Sequence, residues 1–256
     1  MSARGAWWGE FAVARGMTAS FQVGPLRLTV EHHGGEWRLI RTFDGDDTVV
    51  RVEVPAPERA LEAGAVISRH GTSHSDDRLS LTPVLPDRPV VTRPEHPVSV
   101  PPRDAATIYV GSPLWVRVAH RSPPITLEDL PCMAPLTTWW GPDTTTGELC
   151  YATRTFGRLD ERQIVFHPHR VITAVRIENR ADAPLLFERL YLPVGQLSVL
   201  ADEEHRLWTE DVTLEHVAGE EAELTLGDAR DGFQRLTGPR NAAPHRLFRA
   251  FGSLFR

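Results

Sequence analysis

The chain has 256 residues, of which 41% are hydrophobic and 24% are charged. This composition is typical of a folded domain and excludes disordered, collagen-like and coiled-coil proteins. The formal net charge of -6 argues against nucleic-acid binding, because contact with phosphates needs a basic face. All 28 basic residues are arginine, which excludes Schiff-base chemistry and the lysine of phosphate-binding loops.

The first 82 residues show the period-two alternation of strands that have one buried face. Leu26, Leu28 and Val30 alternate with polar residues, and Gly34 and Gly35 then separate this segment from the next apolar one. A glycine-rich turn between two alternating segments is typical of a β-hairpin. We therefore predict an N-terminal β unit over residues 1–82.

A proline-rich segment follows at residues 83–104. It contains seven prolines between Pro83 and Pro102. Because proline cannot donate a hydrogen bond to a strand ladder, this segment is predicted to be a surface connector and not a central strand.

Residues 105–236 carry a second series of short alternating segments that are separated by proline, glycine and aspartate turns. The segment 179–184 is predicted to be one of these turns, the loop of a hairpin. Such a series is typical of a β-sandwich or a partly closed barrel. The predicted fold is therefore all-β, with two β-sandwich or barrel-like units packed together and a C-terminal amphipathic helix.

Two adjacent tryptophans, Trp139 and Trp140, lie on one predicted strand of this second unit. Neighbouring side chains on a strand point to opposite faces, so one indole is expected in the core and the other outside it. The loop that follows carries Asp143 and Glu148, and these four residues form a candidate carbohydrate or small-ligand site. Two alternatives stay open: both indoles fill a core, or the two carboxylates catalyse hydrolysis.

Motifs for covalent catalysis or nucleotide binding are absent from the sequence, which has no G-x-S-x-G and no glycine-rich phosphate loop. Cys150 lies in the middle of a predicted strand, where a thiol is usually a small buried apolar group. We predict no catalytic residue and no cofactor, and we expect Cys132 and Cys150 to be reduced and non-catalytic. A single buried bridge between them is the alternative.

His167 and His169 flank a proline and are weak candidates for a metal site. In an extended segment their imidazoles lie on one face, as first-row metal ligands often do. The sequence marks no third ligand, so we expect no tightly bound metal, and histidines of a surface loop are the simpler interpretation.

The C-terminal residues 239–256 are predicted to form a basic amphipathic helix. At ~100° per residue its apolar side chains occupy one arc and its arginines the opposite side. The candidate docking residues are Arg246, Leu247, Phe248, Arg249, Phe251, Leu254, Phe255 and Arg256. A helix this short needs a surface, and its own domain, a partner protein and an anionic membrane all stay open.

The location is predicted from what the sequence lacks. The N-terminus has no signal-peptide pattern, and the longest apolar stretch, residues 185–200, is interrupted by charged residues and a proline. Two cysteines without zinc-ligand spacing suit a reducing compartment. We expect a cytoplasmic protein, with peripheral contact to the inner membrane as a further option.

Four motifs give the chain a resemblance to a known family. They are T-W-W-G at 138–141, G-E-L-C-Y at 147–151, E-R-L-Y-L-P-V at 188–194 and L-W-T at 207–209. With these motifs the chain resembles the prokaryotic domain-of-unknown-function family 432, over roughly residues 105–215. The resemblance implies no catalytic residues. It also implies an accessory role, because some members are associated with small mechanosensitive channels.

The expected function is that of a non-catalytic interaction or accessory protein that docks through its C-terminal helix. Its partner is expected to be a protein, either a membrane channel or a second copy of itself, or else a membrane surface, and not a nucleic acid. A carbohydrate or small-ligand binding module is the first alternative. A metal-dependent enzyme that uses His167 and His169 is the second.

Overall fold

The computed structural model of the protein describes residues 6–57, 60–73, 76–141, 145, 147–218, 221–241 and 246–250. Nearly all regular structure is β-strand, which confirms the all-β prediction. In the described part of the chain no helix is long and apolar enough to cross a membrane. The fold divides into two compact units that the chain enters more than once.

The strands are numbered in chain order. The first twelve are β1 (Gly9–Ala12), β2 (Thr18–Val23), β3 (Leu26–His33), β4 (Glu36–Thr42), β5 (Val50–Ala56), β6 (Val66–Gly71), β7 (Arg78–Val84), β8 (Val90–Pro94), β9 (Val98–Val100), β10 (Ala105–Pro113), β11 (Trp115–His120) and β12 (Thr126–Pro131). The others are β13 (Leu136–Trp140), β14 (Glu148–Thr155), β15 (Arg170–Asn179), β16 (Leu185–Phe187), β17 (Leu190–Leu192), β18 (Val199–Ala201), β19 (Leu207–Trp208), β20 (Val212–Ala218), β21 (Glu221–Leu226), β22 (Gln234–Thr237) and β23 (Arg246–Ala250). Two short 3-10 helices are present at Glu161–Gln163 and Val194–Gln196.

Unit one comprises residues up to Val84 together with Leu114–Ala134 and His167–His169. It has a five-stranded antiparallel sheet in the order β5-β2-β3-β4-β6 and a four-stranded sheet in the order β1-β7-β11-β12. The predicted hairpin is confirmed, since β3 pairs with β4 across the turn at residues 34–35. The inner residues of the alternating strands are buried and form the core of this unit.

Two histidines and a tryptophan lie in that core. The His32 ring stacks on the Trp37 indole with ring centroids 3.8 Å apart, and the His120 ring packs edge-on against Trp37 with centroids 5.6 Å apart. All three side chains are buried. His32 and Trp37 come from the five-stranded sheet and His120 from the four-stranded one, so this contact joins the two sheets face to face.

Unit two comprises Leu85–Pro113, Pro135–Phe166 and the chain from Arg170 onward. Its largest sheet has the order β22-β18-β19-β15-β20-β21-β23, with β10 also paired to β15. A four-stranded sheet has the order β13-β14-β8-β17, and β16 pairs with β9. Residues of β15 are buried along most of its length, as expected for a strand covered on both faces.

The structure differs from the prediction for the proline-rich segment. Residues 83–104 contain β8 and β9, and β8 lies inside its sheet between β14 and β17. The prolines do not interrupt the hydrogen bonds inside this strand because they flank it: Pro89 precedes β8 and Pro94 is its last residue. Residues 179–184 are a turn, but β16 after it pairs with β9 and not with β15, so they do not close a hairpin.

The predicted C-terminal helix is wrong where the structure describes it. Arg246, Leu247, Phe248 and Arg249 lie on β23, which pairs with β21 in antiparallel register. Backbone hydrogen bonds to β21 replace those of a helix, and a short apolar run does not by itself distinguish the two structures. The remaining docking residues, Phe251, Leu254, Phe255 and Arg256, lie outside the described residues.

Candidate functional site

The two adjacent tryptophans of β13 lie on opposite faces of their sheet. Trp140 is buried, with 6% of its surface exposed, and its ring lies 5.5 Å from that of Tyr191. The guanidinium of Arg189 lies 5.6 Å from the Trp140 ring centroid. Trp140 is therefore a core residue, and its indole is not accessible to a ligand.

Trp139 is 41% exposed and lies directly opposite Leu149 of β14, which is 44% exposed. A Cβ atom added to Gly147 would lie 2.2 Å from the Trp139 Nε1 atom. The glycine therefore lets the indole lie close against the chain. Directly opposed residues of an antiparallel pair share one face, so Trp139 and Leu149 form one continuous apolar surface.

A polar rim adjoins this surface. Tyr151 lies two residues beyond Leu149 on the same face, and its hydroxyl donates to Asp87 at 2.9 Å. Burial and this hydrogen bond raise the pKa of Tyr151, so the phenol stays neutral and donates. The guanidinium of Arg88 lies 5.8 Å from the Tyr151 ring. We call Trp139, Leu149, Tyr151 and Arg88 the β13–β14 surface. Tyr151 is its buried member, with 8% of its surface exposed, and the other three are exposed.

The strand β13 is also the end strand of its sheet in the described part of the chain. Its five residues, L-T-T-W-W, include no charged residue and no proline, and Leu136 and Thr137 are exposed. Soluble proteins usually protect an edge strand with charges or proline. The edge strand β12 follows this rule with Glu128, Asp129 and Pro131. By comparison β13 is an unprotected edge.

The structure does not bring all the predicted ligand residues together. Glu148 lies opposite Trp140, so its side chain leaves the sheet on the buried face and not beside Trp139. Asp143 lies outside the described residues. Trp139 is therefore the one predicted ligand residue that the described structure places on an accessible surface.

His167 and His169 lie in a loop and turn of unit one, with ring centroids 5.5 Å apart. His169 is buried against Gly24, where an added Cβ would lie 2.3 Å from the His169 Nδ1 atom. His167 is half-buried, and its Nδ1 atom lies 3.4 Å from the Asp47 carbonyl oxygen. Among the described residues, no group of three histidine, cysteine, aspartate or glutamate side chains is placed to hold a metal ion.

The backbone of the same turn is held firmly in unit one. The Leu114 amide donates to the His169 carbonyl oxygen at 2.9 Å, and the Trp7 Nε1 atom donates to the Pro168 carbonyl oxygen at 3.1 Å. These contacts, together with the packing on Gly24, give the turn a structural role.

Both cysteines are reduced and buried. Burial raises the pKa of the Cys132 thiol far above its usual range, which keeps it protonated and unreactive. Cys150 lies on β14 opposite Thr138, and its Sγ atom donates to the Glu148 carbonyl oxygen at 3.8 Å. The prediction that the two thiols are reduced is confirmed.

Sequence reasoning missed a groove on the outer face of the five-stranded sheet of unit one. Its polar lining includes Arg27, Thr29 and Arg51. Alternation explains polar residues at such positions as the outer face of a strand, so the sequence alone does not single them out. The one available signal was the repetition of arginine and hydroxyl residues on neighbouring strands.

The fold and the β13–β14 surface together define an all-β protein of two units with an unprotected edge in unit two. A family model described as "Protein of unknown function (DUF432)" matches residues 7–256, and the chain belongs to this family. The match confirms the resemblance based on the four motifs and extends it over the N-terminal half. Searches of curated proteins and of solved structures each found no match to the chain.

Proposed function

We propose that the protein is a non-catalytic interaction protein that assembles with a second copy of itself through β13. The observation that carries this proposal is the unprotected edge at Leu136–Trp140, with Trp139 and Leu149 exposed beside it. An end strand can extend its sheet by pairing with a strand of another molecule through the backbone groups on its outer side. Trp139 and Leu149 are already more than half buried, so completing their burial adds only part of the about 1.5 to 3 kcal/mol that full burial contributes for each.

A second copy fits this edge because the strand is uncharged. Two identical strands that pair in antiparallel orientation around a two-fold axis bring like residues close together, and like charges in such a pair repel. With the axis at Thr138, Leu136 of one copy lies opposite Trp140 of the other, and Thr137 lies opposite Trp139. No charged residue of β13 enters this pairing.

The aromatic and arginine content of the β13–β14 surface also supports assembly. Tryptophan and arginine often dominate the energetics of protein interfaces, and this surface exposes Trp139 and Arg88, with the Arg88 guanidinium 5.8 Å from the buried Tyr151 ring. The apolar pair at the centre and the charged residue at the rim follow the usual arrangement of an interface.

Sedimentation velocity on the full chain, over a wide range of concentrations, tests the proposal. We expect the wild-type protein to sediment with the mass of a dimer. Thr137→Lys should give a monomer, because Thr137 is exposed and a lysine there brings two charges into the paired edge. The matched control is Thr126→Lys, which places the same charge on the edge strand β12 and should leave the dimer intact. A wild-type chain that stays monomeric at every concentration contradicts the proposal.

The exposed Trp139 indole supports a second candidate function, carbohydrate binding, because a sugar ring stacks well on an accessible indole. Titration with neutral oligosaccharides should then change the tryptophan fluorescence of the wild-type chain and not that of Trp139→Ala. An unchanged wild-type spectrum excludes this candidate, and it leaves the assembly proposal intact.

A further inference from the structure

Unit one contains a shallow groove that opens to solvent on the face of the five-stranded sheet opposite its core. Its floor consists of residues from four neighbouring strands, β2 to β5. One wall is the segment that joins β5 to β6 and includes Ala60, Leu61, Glu62 and Ala65. None of these residues belongs to the β13–β14 surface, so the groove is independent of the proposed assembly.

The strand register arranges two arginines in one row across the floor of the groove. Gln22 on β2 lies opposite Arg27 on β3 and also opposite Arg51 on β5. Neighbouring strands are about 4.8 Å apart, so the two arginine Cα atoms are separated by roughly 10 Å, with Gln22 between them. This spacing lets both guanidinium groups reach one bound acidic group above Gln22.

Both arginines keep donors for such a group. The Arg27 Nε atom lies 3.4 Å from Asp44 Oδ1, and the Arg51 Nε atom lies 4.0 Å from Glu53 Oε1. A guanidinium has five N–H donors, and one carboxylate contact leaves most of them available. The Arg27 Nε atom faces Asp44 without a hydrogen bond among the described residues, so the terminal N–H groups of the guanidinium are the donors offered to a ligand in the groove.

The floor also contains hydroxyl groups. Thr42 on β4 continues the first row, opposite Arg27, and Ser20 in the second row lies between Thr29 on β3 and Glu53 on β5. The Thr42 hydroxyl donates to Asp44 at 2.5 Å, and this hydrogen bond, with Arg27 nearby, lowers the pKa of Asp44. Asp44 is therefore ionised and holds Arg27 at the groove.

The residues of the groove walls indicate which other chemical groups a bound ligand has. Ile40, Leu61 and Ala65 offer apolar contact, which suits a carbon skeleton better than a bare inorganic ion. Glu62 also lines the groove, and a carboxylate accepts hydrogen bonds from a hydroxyl or an amino group. A second acidic group beside Glu62 would instead be repelled.

We propose that this groove binds a small organic acid that carries a hydroxyl or amino group. Arg27 and Arg51 hold the acid group. Glu62 and the hydroxyls of the floor accept or donate hydrogen bonds to the other polar group, and Ile40 and Leu61 cover the carbon skeleton. Charge-assisted hydrogen bonds to the two guanidiniums provide most of the affinity.

Isothermal titration of the full chain with L-malate and L-glutamate tests the proposal, with acetate and inorganic phosphate as comparison probes. We expect malate or glutamate to bind, acetate to bind more weakly, and Arg51→Gln to weaken binding by about tenfold or more. Arg51 is 58% exposed, so this variant should fold normally. The matched control is Arg69→Gln, which removes an exposed arginine from the same face outside the groove and should bind like wild type.

Three outcomes would overturn the proposal. They are no binding of either acid, equal binding of the wild-type and Arg51→Gln chains, and binding of inorganic phosphate as tight as that of the organic acids. Thermal midpoints measured for both variants without ligand show whether a loss of binding reflects unfolding. Because no residue of the groove belongs to β13, failure here leaves the sedimentation result unaffected.

Discussion

Trp139 and Leu149 lie directly opposite each other on β13 and β14, with 41% and 44% of their surfaces exposed. The next pair along the hairpin, Trp140 and Glu148, points to the other face, where Trp140 is buried. One hairpin therefore packs a core with one face and presents an apolar surface with the other. The apolar residue on the buried face is explained by the packing of unit two. The apolar residues on the exposed face are explained by the proposed assembly.

The two tryptophans should respond differently to truncation. Trp140→Ala should lower the free energy of unfolding by about 3 to 5 kcal/mol, because it leaves a cavity in a packed core. Trp139→Ala should change that free energy by less than about 1 kcal/mol in the monomer and weaken assembly instead. Urea unfolding at low protein concentration and sedimentation at high concentration measure the two effects. Equal losses of stability for the two variants would contradict this division.

Gly24 and Gly34 form a matched pair for testing the turn at His169. Both have φ of +57°, but an added Cβ meets the His169 Nδ1 atom at 2.3 Å only at Gly24, and at Gly34 nothing lies within 4 Å. Gly34→Ala should cost only the left-handed backbone strain, about 1 to 2 kcal/mol. Gly24→Ala should cost about 1 to 3 kcal/mol more, because the ring must move. Thermal unfolding of the two variants gives the comparison, and equal costs would show that His169 is not fixed there.

The lowered pKa of Glu36 predicts a specific dependence of the free energy of unfolding on pH. Hydrogen bonds from Arg69 and Arg38 lower the pKa of Glu36 from 4.5 to about 2. A lowered pKa in the folded state means that this contribution is present above about pH 4.5 and is lost as the pH falls toward 2. Glu36→Gln should therefore flatten the fall of unfolding free energy in this window. Because Glu36 is at the surface, high salt should reduce the difference. Identical pH profiles for the two chains would contradict the assignment.

The thiols should be protected by the native fold. Cys132 and Cys150 are both buried, and burial raises the pKa of Cys132. Brief treatment with N-ethylmaleimide should leave both unmodified in the native chain and modify both after unfolding in urea, as peptide mass spectrometry can show. Rapid modification of Cys150 in the folded protein would indicate a reactive thiol and contradict its structural role.

Local sequence patterns predicted local structure well. The β3–β4 hairpin follows from alternation on either side of Gly34 and Gly35, and it forms as predicted. The errors arose where tertiary contacts decide. The proline count of residues 83–104 predicts a surface connector, but Pro89 precedes β8 and Pro94 is its last residue, so the ladder of β8 is intact. Residues 246–250 have a pattern that fits a helix or a strand, and pairing with β21 selects the strand.

The candidate sites also depend on tertiary contacts that local sequence patterns do not specify. Alternation predicted that one of Trp139 and Trp140 is exposed, but which one depends on the side of the sheet that other strands cover. The sequence predicts Glu148 beside the exposed indole, but the register with β13 places it on the other face of the sheet. The row of Arg27, Gln22 and Arg51 depends on pairing between strands far apart in sequence, which no local pattern specifies.

Amide hydrogen exchange along β13 tests the central claim most directly, because it reports on the strand that is proposed to pair. At a concentration where the wild-type chain is dimeric, peptides that cover Leu136–Trp140 should exchange more slowly than the same peptides of Thr137→Lys. Peptides that cover β12 should exchange equally in both chains. Equal exchange of β13 in the wild-type and Thr137→Lys proteins would contradict assembly through this edge.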